Sequence, residues 1–253
     1  MGGRCNFCGS TDRKVIVSDD QGYAPDRSDI VECRECGLVF RVFPEGRDEA
    51  GKETRAPFDA PAKADGRRKD LYLDLVGIVL KFRKLHRIFD VGAGNGYFLK
   101  LCRDRGWEIS GAEADPDRVR SAETEHGVML LGEPFERTEP GNSCFDGVTF
   151  INVLEHLRDP RSALLKAFGM LRPGGCLLVR FPNAVFHVYP YRILSMLRGI
   201  GFFRKMRREF AVYRYAFGHK AMSRCLRSLG YVDLEMRRSG RLGSSVLLTA
   251  VRP

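Results

Sequence analysis

The chain has 253 residues, 43% hydrophobic and 29% charged, a balance typical of a soluble globular protein with room for one large domain, or one domain and a small companion. No run reaches the roughly 18 apolar residues of a membrane span. Met1-Gly2-Gly3-Arg4-Cys5 opens without the apolar stretch of a signal peptide, so a cytoplasmic location is expected. The net charge of +10 is uneven, because residues 181–253 alone hold 14 basic and 3 acidic side chains. Such a segment attracts an anionic partner: phosphate, nucleic acid or a membrane face.

In chain order, the first 42 residues carry Cys5-x-x-Cys8-Gly9 and Cys33-x-x-Cys36-Gly37, with short β-like runs at 14–17, 29–32 and 38–42. Two residues between thiolates let both reach one tetrahedral ion, and the following glycine suits the tight turn. Four sulfur ligands predict a structural zinc held by Cys5, Cys8, Cys33 and Cys36. A head this small has little core of its own, so metal supplies part of its folding energy. Cys102, Cys144, Cys176 and Cys225 lack such spacing and read as core residues.

Residues 43–66 are rich in Pro, Gly, Ala and charge and read as a linker or lid. Apolar spacing predicts a helix over 67–85. Strands and helices then alternate: strand 87–91, helix 96–105, strand 108–113, helix 117–126, a short apolar run 128–131, strand 145–151 and helix 160–171. A Pro173-Gly174-Gly175 turn leads into strand 176–181. After 183–218 come a helix at 220–229 and strands at 232–237 and 245–251. This alternation predicts an α/β fold: a mostly parallel, Rossmann-like sheet with helices on both faces, beside a small N-terminal β domain.

The strand Ile88-Phe89-Asp90-Val91 runs into Gly92-Ala93-Gly94-Asn95-Gly96. Glycines there allow positive φ and close approach of a ligand, and the next helix offers free N–H groups. Glu113 lies 21 residues after Gly92, where a carboxylate can accept ribose hydroxyls. The dinucleotide fingerprint G-x-G-x-x-G fits poorly, since Tyr97 stands where its third glycine belongs. Asp90, two residues before the first glycine, suits an amino group instead. Asp115 reads as the cap of the following helix.

Downstream stand Phe145-Asp146, Asn152-Val153-Leu154-Glu155-His156, Leu171-Arg172-Pro173-Gly174-Gly175 and Phe181-Pro182-Asn183. With the glycine loop and Glu113, these ordered motifs closely resemble the class I S-adenosylmethionine (SAM)-dependent methyltransferases over about 87–183. The resemblance implies that Asp90, Gly92 and Gly94 hold the methionine end and Glu113 takes the ribose, with Ala93, Asn95, Gly96 and Ala114 also among the cofactor-binding residues. It also implies that Glu133, Pro134 and Phe135 border the adenine, and that Ile151 and Asn152 line the site below the sulfonium. His156 is the first candidate base, with His219 and Tyr213 behind it. A structural or capping role for His156 fits the sequence equally.

Residues 192–227 contain ten Lys or Arg and one acid, Glu209, interleaved with aromatics. In methyltransferases of this type, the insert here (184–218) commonly covers the acceptor. Three partners fit: an anionic membrane met peripherally through 192–217 at the inner face, phosphates of a small metabolite, or a nucleic-acid backbone. The zinc-head layout resembles enzymes of surface-glycan and natural-product pathways, and more loosely some ribosomal RNA methyltransferases. No Asn-Pro-Pro-Tyr motif follows the strand at 145–151, and no cysteine sits where pyrimidine carbon-5 attack needs one. The favoured acceptor is therefore an anionic or phosphate-bearing small molecule, glycan or lipid. The alternatives are an rRNA or tRNA methyltransferase, and a non-catalytic zinc-ribbon interaction protein.

Overall fold

The structure is a computed structural model that describes residues 4–18, 28–43, 66–79, 86–196, 214–240 and 243–253. Most of the segments read as a lid (43–66) and as a membrane contact (192–217), including Tyr213, lie outside the described residues.

The main sheet contains β4 (Arg87–Val91), β5 (Glu108–Ala112), β6 (Phe145–Ile151), β7 (Leu171–Pro182), β9 (Val232–Ser239) and β10 (Ser245–Val251). Its order is β5-β4-β6-β7-β10-β9. The first four strands are parallel, and β10 runs antiparallel to both its neighbours. Around it lie α1 (Gly66–Val79), α2 (Tyr97–Arg103), α3 (Pro116–His126), α4 (Pro160–Met170), α5 (Ala184–Met196) and α6 (His219–Ser228). The central strands β4, β6 and β7 are buried along most of their length because helices cover both faces, and most of their residues are apolar. Phe89, Val148, Phe150, Val179 and Phe181 face one core with α4 and α6. Ile88, Ile151, Leu178 and Leu247 face the other with α1 and α2.

The run 128–131 contributes one parallel bridge, Ala112 to Leu131. The expected turn at Pro173–Gly175 lies within β7 (Leu171–Pro182) as an irregularity: Gly174 takes positive φ (78°), and pairing with β6 passes from Leu171 to Cys176. There Gly174 N–H donates to the Arg252 carbonyl (2.7 Å), and Arg252 N–H donates to that of Gly175 (3.0 Å), so the turn is tied to the residue after β10. Asp146, buried at the far end of the sheet from the glycine loop, accepts from the N–H groups of His86 and Arg87 (2.9 Å each) and pairs with Arg172. Its part in the Phe-Asp motif is to tie β4 to β6.

The head forms a second sheet from β1 (Arg13–Val17), β2 (Asp29–Cys33) and β3 (Val39–Val42), antiparallel throughout. Its fourth strand is β8 (Tyr215–Ala216), which comes from the far end of the chain. One core joins Cys5, Phe7, Cys33, Leu38 and Phe40 to Phe181, Phe217 and α6. Phe217 is fully buried, stacks on Phe7 (5.5 Å) and meets Phe181 edge-on (5.5 Å). Truncating a phenylalanine in such a place costs about 3–5 kcal/mol, so the head and the main sheet stabilise one another.

Candidate active site

The glycine loop sits at the C-terminal end of β4. Gly92, Gly94 and Gly96 all adopt positive φ (66°, 58° and 73°). A Cβ on Gly92 would lie 2.5 Å from Val153, and one on Gly96 3.0 Å from Val128. A Cβ on Gly94 would meet nothing within 4 Å, so this residue presents bare backbone to open space. Gly92 and Ala93 N–H groups donate to the Ala112 carbonyl (2.8 and 3.0 Å), which locks the loop to β5. Asn95 accepts from Tyr97 N–H at the start of α2.

Glu113 follows β5 and is buried. Its Oε2 accepts from Gly94 N–H (2.8 Å) and its Oε1 from Asp115 N–H (3.0 Å). Each oxygen keeps a further lone pair for a ligand hydroxyl. Burial pushes its pKa up, opposed by these backbone N–H groups. Ala114 lies half-buried beside it. Asp115 caps α3 by accepting from Asp117 N–H (2.9 Å), as its sequence position suggests.

Asp90 is buried on the α1/α2 side of the sheet and accepts from the Thr149 hydroxyl (2.5 Å). Burial raises its pKa to about 7, with the Glu113 charge adding to the shift. Such a carboxylate is expensive to hold in a fold unless a cation meets it.

At the end of β6, Ile151 is buried and Asn152 turns into the left-handed region (φ 55°), which asparagine tolerates. Asn152 N–H donates to the Arg180 carbonyl (2.8 Å), and its Oδ1 accepts from Arg180 Nη1. His156 is half-buried, its Nε2 4.0 Å from Glu155 Oε1. Burial lowers its pKa to about 4, helped by the Arg118 charge, so the imidazole is neutral near pH 7.

Not every residue suggested by the sequence joins this cluster. Phe135 is buried on the opposite sheet face against Phe89 (6.0 Å) and Phe150 (5.7 Å), with the Lys166 ammonium 4.6 Å from its ring centre. Its size and apolarity serve the core there, while Glu133 and Pro134 remain half-buried outside it. His219 stands exposed at the start of α6, a helix packed on that same opposite face. Two residues were missed. Arg180 and Glu155 are buried beside Asn152, and an arginine within the apolar run Cys176–Phe181 was the available signal.

In the head, the four sulfur atoms of Cys5, Cys8, Cys33 and Cys36 lie within 4.8 Å of one another, with Cys5–Cys36 at 3.4 Å and Cys8–Cys33 at 3.5 Å. Thiolates on a tetrahedral zinc, each about 2.3 Å from the ion, stand about 3.8 Å apart, so the four residues fit a metal.

A parallel sheet with a glycine loop after one strand, an acid after its neighbour and a buried carboxylate below is the frame of a Rossmann-like methyltransferase. A methyltransferase-domain family model matches residues 60–235. The chain belongs to this methyltransferase-domain family. It is 34% identical over 109 residues to a tRNA U34 carboxymethyltransferase of Geobacter sp. (strain M21), covering 37% of this chain and 31% of that protein. The chain thus spans about a third of the length of such relatives. It is 26% identical over 183 residues to a ubiquinone biosynthesis O-methyltransferase of Alkalilimnicola ehrlichii, covering 66% of this chain and 73% of that protein. Among solved structures, a SAM-dependent methyltransferase from Listeria monocytogenes aligns with TM-score 0.60 and 12% identity over 75% of this chain and all of that one (100%). A chain from the complex of the Haloferax volcanii Trm112 methyltransferase activator with a methyltransferase aligns with TM-score 0.55 and 17% identity, over 78% and 96% of the two chains.

Proposed function

We propose that this enzyme methylates a small-molecule, glycan or lipid-linked acceptor. SAM is held by Asp90, the Gly92–Gly96 loop, Glu113 and Ala114, with Ile151 and Asn152 beneath its reactive end. A single arrangement carries the cofactor half of this reading: Asp90, the open backbone of Gly94 and the buried Glu113 stand together at the carboxyl ends of β4 and β5. Bound there, SAM supplies a methyl group already activated on its sulfonium. The chain's task is alignment and, for a protonated acceptor, proton removal. His156, kept neutral by burial at the edge of this site, is the group that takes the proton. The head (1–42) binds one structural zinc, 43–66 serve as a linker or lid, and 67–253 form the catalytic domain, with 184–218 on the acceptor side.

The acceptor class rests on how far the similarity extends. The match to one ubiquinone biosynthesis O-methyltransferase runs through 66% of this chain, and those to four others through 38–47%. The match to the tRNA enzymes covers 37%, and a nucleic-acid acceptor is the second reading, supported by the basic C-terminal stretch. Purified enzyme incubated with methyl-labelled SAM and a fractionated lysate separates the two. Label in nuclease-resistant small-molecule, glycan or lipid fractions is expected. Label released by RNase or DNase overturns the acceptor assignment.

A further inference from the structure

Arg180 lies on the same sheet face as Asp90. Asp90 pairs across β6 with Thr149, which pairs with Leu178, and Arg180 is one pleat beyond Leu178 toward the ligand end. By strand geometry this places it about 10 Å across and about 7 Å above Asp90. That is the side of the cradle away from Glu113. The guanidinium is clamped, with Nη1 donating to Asn152 Oδ1 and Nη2 to Ser245 Oγ (2.9 Å). The residue is only 9% exposed, yet Nε–H has no partner. Among the described residues Arg180 makes no ion pair.

Glu155 is the nearest source of compensating charge, and it compensates poorly. It is 1% exposed, and its Oε2 also has no partner. Burial raises its pKa to about 8, so near pH 7 it is largely neutral, while Arg180 keeps its charge. A buried cation with a spare donor and little counter-charge costs stability unless an anion completes it.

We infer that Arg180, held by Asn152 and Ser245, is the anchor for an oxyanion of the methyl acceptor, a phosphate or carboxylate carried close to the reacting atom. This deepens the proposed function and rests on it, because it places the acceptor between His156 and the end of β7. Arg180 is thereby a specificity-determining residue that selects acidic acceptors.

The test uses the full chain saturated with S-adenosylhomocysteine and titrated separately with inorganic phosphate and with acetate, read by calorimetry at pH 8.5. Wild type is expected to bind at least one of them saturably, at millimolar affinity, and the preferred probe identifies the group. Arg180→Met should weaken this binding at least about tenfold, the loss of one charge-assisted pair. Glu155→Gln, which removes the competing negative charge, should tighten it about threefold. It is informative even if the arginine variant folds poorly. The inference is overturned if neither anion binds saturably, if Arg180→Met binds like wild type, or if Glu155→Gln leaves the affinity unchanged or weaker. Loss of S-adenosylhomocysteine binding by wild type would instead reject the cofactor reading beneath it.

Discussion

Replacing Asp90 with asparagine should stabilise the cofactor-free protein and, with Asp90 in its proposed place at the cofactor, weaken SAM binding more than about 100-fold. The carboxylate is buried, and its pKa is raised to about 7 in the folded state. A raised acid contributes stability that is complete below its unfolded value, near 4, and is lost as pH rises through 7. At pH 8 the ionised group therefore costs on the order of a few kcal/mol. Asparagine keeps the shape and the Thr149 contact without that charge, so melting should rise by about 5 °C. The same change removes the anion proposed to meet the methionine ammonium, and breaking a buried pair of this kind costs about 3–5 kcal/mol, or more than 100-fold in affinity. The wild-type protein should also bind SAM roughly tenfold more weakly at pH 6 than at pH 7.5, as Asp90 takes up a proton. The asparagine variant should lack this pH dependence. Thermal melts and calorimetry check both halves, and a variant that melts lower and binds normally removes Asp90 from the site.

Loss of the metal should damage far more than the head. The four cysteine sulfurs organise the two knuckles, and the core they close runs through Phe7 and Phe40 to Phe217 and Phe181. The first knuckle also reaches the segment after β6: Asn6 donates to the Arg158 carbonyl, which also accepts from the Tyr215 hydroxyl (2.9 Å). Arg224 of α6 donates to the Glu35 carbonyl of the second knuckle. A structural zinc supplies folding energy on the scale of 10 kcal/mol in isolated fingers. In this shared core, a loss of even about 4 kcal/mol lowers melting by about 10 °C. The purified protein should carry one zinc by elemental analysis. Chelation or Cys33→Ser should produce that fall together with loss of near-ultraviolet dichroism from the aromatic cluster. A metal-free protein melting within about 2 °C of the original would exclude a structural metal.

Much of this architecture can be read from the residues. The strands Phe145–Ile151 and Ser245–Val251 have the bounds their largely apolar runs suggest, because strands covered by helices are mostly hydrophobic. The glycine loop and the knuckles are local devices, so spacing alone reveals them. What stayed hidden depends on distant chain. Tyr215–Ala216 is too short to read as a strand, and it becomes one only because Val39 and Phe40 pair with it. Phe135 has the character of an adenine-stacking ring, but its direction is set by Phe89 and Phe150, which sequence proximity does not show. Arg180 was visible as a charge within an apolar strand, yet its meaning required Asn152, Ser245 and Glu155 around it.

The central claim, that the cofactor lies across the β4 and β5 ends, is tested most directly by amide hydrogen exchange of the wild-type chain with and without S-adenosylhomocysteine. Protection should concentrate at Val91–Gly96, Glu113–Asp115 and Ile151–Val153, with the head sheet little changed. Protection absent from the glycine loop, or centred on the knuckles or on α6, would contradict the account.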